Sequence, residues 1–502
     1  MWLAQILEHC PVREVIGSRE VDLLGLAVDS REVRPGYAFF AVRGTLSDGH
    51  DYVPAALASG ATVLFLERDI DCGSSVTRVL VDDGRLTLAR AAQVYHGDPT
   101  GGWAVVGVTG TNGKTTITYL LEAILQAAGR APAVVGTINY RFAGESLPAA
   151  HTTPEPLELM SRLAAFRQAG ADSLVMEVSS HALDQHRVDG IRFQVGIFTN
   201  LTPEHLDYHH DMENYFQSKC RLFNTLLPVA GGQAVINIDD GYGARLAAML
   251  PGALTCGRAA HARIGFSDLE LSLDGIRGRL CLPTAEVAIT SPLLGDYNVE
   301  NLLCAAAAAA ALGLPPAAIA RGLAAVRGVP GRLERIENDL DAVVLVDYAH
   351  TGDALRRVLE TLQQLAPRRI VTVFGCGGDR DRGKRPVMGE VAASLSDLAI
   401  ATSDNPRTEE PAQILTDVRV GLARVHEREW SREQACQAGG RGYLVIADRR
   451  EAIRFAVARL QPGDLLLVAG KGHEDYQVLA DGRIHFDDRE ELRTALRLRG
   501  AS

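Results

Sequence analysis

The sequence predicts an α/β protein of three domains, the second and third built on parallel sheets. Two breaks rich in Gly and Pro, HGDPTGG at 96–102 and RGVPGR at 327–332, divide the 502 residues. The pieces, 1–100, 101–330 and 331–502, each have a sensible domain size. The last piece holds five short apolar runs, at 342–346, 370–374, 398–402, 443–447 and 465–468, separated by helical stretches. Runs of that length without polar alternation suit strands covered on both faces. The middle piece alternates strand and helix in the same way.

That alternation can be followed along the chain. Residues 103–108 form an apolar β-branched run that ends in Thr and Gly, and 116–128 carry a helical period through Leu120, Leu121, Ile124 and Leu125. Further strands are predicted at 173–178, 195–198 and 234–238. The alanine run 305–311 reads as a tightly packed helix. In open α/β sheets ligands sit at the carboxyl ends of strands, and the chemically suggestive motifs of this chain fall there.

Hydrophobic residues make up 47% and charged residues 23%, the balance of a folded globular chain rather than a disordered one. The net charge of −11 argues against a broad nucleic-acid or anionic-membrane surface but leaves room for a local basic pocket. The eight cysteines form no CxxC pair and no zinc-ligand spacing, so neither a disulfide framework nor a zinc site is expected. MWLAQILEHCPVREV mixes charges among its apolar residues, unlike a signal peptide. The small-apolar run 302–314 is shorter than the ~20 residues that span a bilayer. A soluble, cytoplasmic protein is expected.

The sharpest motif is VTGTNGKTT, joining a strand to a helix. Gly110 and Gly113 let the backbone N–H groups of Thr111, Asn112 and their neighbours turn toward a phosphate chain. Lys114 would reach the β/γ-phosphates and the Thr115 hydroxyl a Mg²⁺ ion, with Thr116 opening the helix. Val108 stands where the strict P-loop pattern has Gly, and the alternative is an ordinary Gly-rich turn. Glu177 closes another apolar run, a position for a carboxylate near Mg²⁺. His205, Asp207, His209 and His210 follow a further strand. Without cysteine partners or an HExxH motif, His209 and His210 read as surface or structural residues. Lys219 lies in a segment with Phe216, Cys220 and Phe223 at helical spacing, where a lone Lys is ordinarily solvated. Cys376 has no base partner and reads as a small residue packed at a strand end.

GTNGKTT, EVSSHALDQHRV, TNLTPEHLDYH, the Lys219 segment, GDYNVENLLCA, PGRLE, DYAHT, FGCGGDRDRGKRP, SDNPRTEEP and AGKGHEDYQ occur in this order. Together, over essentially the whole chain, they resemble the Mur ligases of peptidoglycan synthesis. DNPR at 404–407, with GCGGDRD upstream and GKGHE downstream, points to the member that adds diaminopimelate.

The resemblance implies a three-domain architecture: a UDP-substrate domain, a central P-loop ATPase-like domain and a Rossmann-like C-terminal domain that binds the amino acid. It implies that ATP phosphorylates a substrate carboxylate, and that an amine attacks the resulting acyl phosphate. The substrates would be ATP, UDP-N-acetylmuramoyl-L-alanyl-D-glutamate and meso-2,6-diaminopimelate, with Mg²⁺ as cofactor. Lys114, Lys219 and His205 would be catalytic, with Thr115, Glu177, His205 and a carbamylated Lys219 at the metal. A carbamate suits that place because it turns a repelled ammonium into anionic oxygens.

Asn298, Arg332 and Asp347 would complete the nucleotide site. Gly352 stands after the His350–Thr351 pair, where the family usually has Pro. Val28, Ser30, Thr45, Leu46 and Ser47 would hold the UDP part. His151 (more often Asn in the family), Thr152, Thr153, Ser179, Gln185 and Arg187 would hold the muramoyl-dipeptide. Arg380, Asp404, Asn405, Pro406, Arg407, Gly470 and Glu474 would bind diaminopimelate, with Arg407 facing its distal carboxylate and Glu474 its distal ammonium. A salt bridge from Arg407 to Glu409 or Glu410 is the plain alternative. The competing functions are a lysine-adding relative, a folylpolyglutamate synthase-like ligase, a P-loop kinase or ATPase, and a nucleotide-sensing regulator.

Overall fold

The computed structural model describes residues 1–500 apart from 45–46, 74, 366 and 438–439. Expected strands and helices are present, mostly shifted by one or two residues at their ends. The chain forms two compact units. One comprises Met1–Ser267, Arg279–Ala288 and Glu300–Leu323, the other Asp268–Gly278, Ile289–Val299 and Ala324–Ser502.

The first unit contains two of the sheets. The smaller orders its strands Glu14–Ile16, Thr77–Leu80, Val63–Leu66, Tyr37–Phe40 and Gly25–Ala27, parallel except for the first. Its strands have three or four residues, too few for a periodicity to be read from sequence. Phe40 and Phe65 stack at 4.1 Å in its core.

The larger sheet runs Leu254–Cys256, Gln233–Asn237, Val195–Phe198, Ala104–Thr109, Ser173–Glu177, Pro132–Val135, Asn139–Phe142 and Glu145–Pro148. It is parallel up to Pro132–Val135, and the last two strands return antiparallel. Register decides what meets at its carboxyl edge: Glu177 lies opposite Val108, and Phe198 opposite Thr109. The phosphate loop, Glu177 and Thr199–Asn200 therefore emerge side by side. The strand residues are almost all buried, as continuous apolar runs require. Ala305–Ala309 are fully buried, in keeping with the tight helix read from the alanine run.

The second unit holds a six-stranded sheet ordered Glu334–Arg335, Val343–Asp347, Asp464–Ala469, Arg369–Cys376, Leu398–Ser403 and Gly442–Val445. Only Glu334–Arg335 is antiparallel. Asp347 pairs with Ala469, and Cys376 with Ser403. The segments starting at Tyr348, Gly470, Gly377 and Asp404 thus leave the sheet at one edge. Gly352 opens the helix Gly352–Gln364, with the Thr351 hydroxyl accepting from Ala354 N at 3.3 Å. It occupies the first helical position, where Pro is also well tolerated, so the departure from the family pattern leaves the helix start intact.

Candidate functional site

In the first unit the phosphate loop is a strand–loop–helix unit. Gly113 caps the helix Lys114–Ala127 at φ 88°, with no side-chain cap on the first N–H groups. Those donors and the helix dipole are what an anion binds. A Cβ on Gly113 would strike Asn301 Oδ1, and one on Gly110 (φ 142°) would strike Thr199 Oγ1. The loop is buttressed from the next strand end: Asn200 O accepts from Thr111 N at 2.9 Å, and Asn200 Oδ1 from Asn112 N at 2.9 Å. Thr199 Oγ1 donates to Asn112 O at 2.7 Å. Thr116 is buried in the first turn.

Glu177 is 1% exposed, and its carboxylate accepts three hydrogen bonds. They come from Thr115 Oγ1 (3.0 Å), Thr137 N (2.9 Å) and Thr137 Oγ1 (2.9 Å). Sequence reasoning missed Thr137. It stands in an irregular stretch after Val135, and only the parallel pairing of 132–135 with 173–176 brings it to Glu177.

Lys219 contradicts the solvated reading. It sits on the helix Met212–Arg221, 1% exposed, with Nζ donating to Gly110 O at 2.9 Å and lying 4.6 Å from the Tyr215 ring. Tyr215 is four residues back on the same helical face. Burial first, and Lys114 second, push the Lys219 amine well below its usual range. Lys114 Nζ folds back onto Gly110 O (3.0 Å) and Thr111 O (2.8 Å).

His205, at φ 58°, packs its ring against His181 at 4.9 Å and Tyr215 at 6.3 Å, and burial lowers its pKa. His209 is buried and bonds Ser180 Oγ at 2.9 Å, while His210 is exposed. Both match their structural or surface reading.

Thr115 and Glu177 offer hard oxygen donors of the kind Mg²⁺ takes when phosphates and water complete its shell. Among the described residues no cluster of three or more His, Cys, Asp or Glu could hold a metal unaided. The donor set therefore fits a nucleotide-dependent ion, and Lys219 fits beside it only once its charge is removed or reversed.

The expected dipeptide residues other than His151 form one network around Glu177. Thr152 Oγ1 meets Thr137 Oγ1 at 3.1 Å, and Thr153 Oγ1 donates to Glu177 O at 2.9 Å. Ser179 N donates to Thr153 Oγ1 at 3.1 Å. Arg187 holds Thr153 O (3.0 Å), Gln185 Oε1 (2.7 Å) and Glu155 (2.9 Å). His151 is exposed, with its carbonyl taken by Tyr140 Oη at 2.6 Å. Val28 and Ser47 are exposed and Ser30 is half-buried. Thr45 and Leu46 lie outside the described residues.

In the second unit Asp347 is buried and accepts from Leu333 N (2.7 Å) and Ala349 N (2.8 Å), fixing the PGRL turn. Burial raises its pKa, and nearby Arg332 opposes that. The Arg332 guanidinium lies 4.8 Å from the Tyr348 ring. Asn298 is buried and donates to Leu294 O at 2.6 Å.

The DNPR turn is built around a residue the sequence reading did not single out. Lys471 is 0% exposed, and its Nζ reaches Tyr476 O (2.6 Å), Asn405 Oδ1 (3.0 Å), Asp404 Oδ1 (3.2 Å) and Glu474 Oε2 (3.6 Å). Asn405 Nδ2 donates to Glu474 Oε2 at 2.9 Å. Gly470, at φ 117°, leaves a Cβ position only 3.2 Å from Asp404 Oδ2. Pro406 is buried.

Arg407, at φ 55°, donates through Nη1 to Gly378 O at 2.7 Å. It makes no ion pair with Glu409. That carboxylate is held by Arg385 at 2.8 Å and Arg382 at 3.1 Å, and among the described residues no ion pair joins Arg407 to Glu410 either, so the salt-bridge alternative falls. Arg380 is exposed. Cys376 is buried against Met388 Sδ at 3.6 Å, with burial pushing its thiol up to about 12, consistent with packing rather than chemistry.

The Mur ligase middle domain model matches residues 108–309, the Mur ligase glutamate ligase domain model 331–472, and the Mur ligase family catalytic domain model 23–96. The UDP-N-acetylmuramoyl-L-alanyl-D-glutamate–2,6-diaminopimelate ligase of Geobacter metallireducens is 51% identical, over 96% of each chain. That of Geobacter sulfurreducens is 49% identical over 99% of this chain and 98% of its own. A solved structure of a ligase of that name superposes with TM-score 0.73 at 34% identity, covering all of both chains. A MurF structure from Acinetobacter baumannii, at 20% identity and TM-score 0.61, shares the fold.

Proposed function

The chain belongs to the Mur ligase family, and on that premise we propose that it adds meso-2,6-diaminopimelate to UDP-N-acetylmuramoyl-L-alanyl-D-glutamate at the expense of ATP. This is a step of peptidoglycan synthesis. We assign residues 1–100 to the UDP-substrate domain, 101–330 to the ATP domain and 331–502 to the amino-acid domain. The eight cysteines are all free, the state the cytoplasm maintains, which supports a cytoplasmic setting. No helix among the described residues is long and apolar enough to cross a membrane.

The uncapped N–H groups at Lys114–Thr116 hold the triphosphate, and Lys114 leaves its carbonyl partners to meet phosphoryl charge. The D-Glu carboxylate oxygen attacks the γ-phosphorus and ADP leaves. The neutral amine of diaminopimelate then attacks the acyl carbon: the C–N bond forms, phosphate departs with the broken C–O bond, and the nitrogen loses a proton. Both steps gather negative charge, so positioning and neutralisation are the protein's main contributions. Thr115 and Glu177 would hold Mg²⁺, which supplies charge neutralisation at the phosphates when bound. A neutral Lys219 amine can add CO₂: an N–C bond forms, a proton leaves, and the carbamate offers oxygens where an ammonium would repel a cation. His205, Asn298, Arg332 and Asp347 remain our candidates for the nucleotide and metal surroundings. Val28, Ser30 and Ser47 are those for the uridine end, and the Thr152–Arg187 network for the dipeptide.

The observation that carries the choice of amino acid is the state of Arg407. Its Nη1 is fixed on Gly378, while its Nε and Nη2 make no hydrogen bond among the described residues. That edge takes a carboxylate bidentately. Phosphate release should be measured with ATP, Mg²⁺ and the UDP-dipeptide, adding meso-diaminopimelate, L-lysine or nothing. Release and tripeptide only with diaminopimelate agree with this reading. Equal use of lysine defeats the Arg407 assignment, and no amine-dependent turnover defeats the ligase.

A further inference from the structure

Behind the DNPR turn lies a buried array of alternating charge. Arg449 and Asp488 form a bidentate pair at 2.7 Å for both bonds, both side chains fully buried. This pair is neutral as a unit, and Arg449 Nη2 also holds Ala469 O at 3.0 Å, the last strand residue before Gly470. In front of it stand Asp404, Lys471 and Glu474. Lys471 makes ion pairs with both carboxylates and hydrogen bonds to Asn405 Oδ1 and Tyr476 O. Its amine is completely shielded from solvent. Of the three groups, only Glu474 retains appreciable side-chain exposure, 16% against 0% for Lys471 and 8% for Asp404.

We propose that Lys471 is a positioning residue for the amino-acid substrate: it offsets Asp404, aims Asn405 and Glu474, and leaves this cluster of three one negative charge. This rests on the ligase reading above. Two carboxylates against one ammonium leave a single unit of negative charge, and it lies on the side chain that faces outward. A cluster so balanced accepts one substrate ammonium. Without Lys471, two carboxylates would face each other in a site of low dielectric, and one would take up a proton. Asn405 would also lose the donor that fixes its side-chain oxygen, while Val478 N, at 3.0 Å, remained. Burial and the neighbouring Asp404 already raise the pKa of Glu474 in the presence of Lys471, so the balance is easily tipped.

The test is a double-mutant comparison on the full-length enzyme. Lys471→Met should raise the KM for meso-diaminopimelate roughly 10-fold or more while moving the KM for ATP less than about twofold, because only the amino-acid pocket loses its charge balance. Lys471→Met/Asp404→Asn removes both members of the buried pair and restores the single charge. It should bring the KM for diaminopimelate back several-fold from that of the single variant. Circular dichroism and thermal melting report folding for each variant.

If wild-type enzyme turns over with diaminopimelate and Lys471→Met leaves its KM unchanged, or raises the KM of ATP equally, the proposal is overturned while the ligase stands. A double variant no better than the single one overturns it too. Should Lys471→Met be recovered only as insoluble chain, a soluble double variant supports charge compensation and an insoluble one overturns it. Wild-type enzyme without amine-dependent turnover defeats the ligase reading instead.

Discussion

Lys114 and Lys219, from two different helices, donate to one acceptor: the carbonyl oxygen of Gly110, at 3.0 and 2.9 Å. Two ammonium groups on a single carbonyl repel each other strongly where water is scarce. The arrangement relaxes if Lys219 gives up its proton, and its lowered pKa runs in that direction.

A neutral Lys219 should therefore carry carbamate in the presence of CO₂. Enzyme equilibrated with ¹³C-bicarbonate is expected to show a carbamate carbonyl resonance that Lys219→Arg lacks. Lys219→Ala should lose about 100-fold or more in turnover, as removal of charge stabilisation at a reacting centre does. Formate or acetate should restore part of it. Absence of the resonance, with Lys219→Ala near wild-type activity, would reject the assignment.

Thr137 aims the Glu177 carboxylate through both its N–H and its hydroxyl. Thr137→Val keeps the first bond and loses the second. Leaving a buried carboxylate oxygen short of a donor costs about 1–3 kcal/mol, so kcat should fall roughly 10-fold with the fold retained. A kcat within experimental error of wild type would show that Thr115 and the Thr137 N–H suffice.

Gly113→Ala places a methyl group at φ 88° against Asn301 Oδ1. Strain of this kind costs on the order of 1–3 kcal/mol. The variant should melt below wild type and bind ATP more weakly, by calorimetry, because the loop must move off its phosphate-binding form. Unchanged ATP affinity would mean that the loop tolerates another conformation.

Arg407→Ala should raise the KM for meso-diaminopimelate by roughly 10- to 100-fold, the usual loss when a bidentate partner is removed from a carboxylate. Any residual use of L-lysine, which has no distal carboxylate, should be unaffected. Parallel losses with both amines would place Arg407 outside the discriminating contact.

Burial, then Arg332 and Arg489, holds His473 down to about 4, against 6.5 for an ordinary histidine. The folded value lies below the unfolded one, so the unfolded chain binds more protons between them. The His473 contribution is complete above about pH 6.5, is lost as pH falls toward 4, and is level below that. Melting temperature measured across this window should fall less steeply for His473→Asn than for wild type. An identical slope would remove His473 from the acid response.

The parallel sheets, the phosphate loop and the DNPR segment were legible in the sequence because each is a local signal. Apolar runs of five or six residues can only be buried strands in such a context. Gly110, Gly113 and Lys114 lie within one turn of chain, so their joint role needs no tertiary information. The antiparallel strands Asn139–Phe142 and Glu145–Pro148, the three- and four-residue strands of the first sheet, and the π-helix at Leu222–Leu226 carried no comparable signal. The GKGHE motif contains Lys471, yet nothing in its spacing says that its amine is buried.

What the sequence by itself determined was the family, the order of the motifs and the residue types available for chemistry. The tertiary structure decided which of them meet. Parallel register put Glu177 beside the loop and Thr137 beside Glu177, 40 residues apart in the chain. Helix packing turned Lys219 from a solvent-facing lysine into a buried amine on Gly110, 109 residues away. Arg407 could be read as a partner for Glu409 until Arg385, buried behind it, was seen to occupy that carboxylate. Burial and long-range partners set the charge and aim of a side chain, and both depend on atoms brought from elsewhere in the fold.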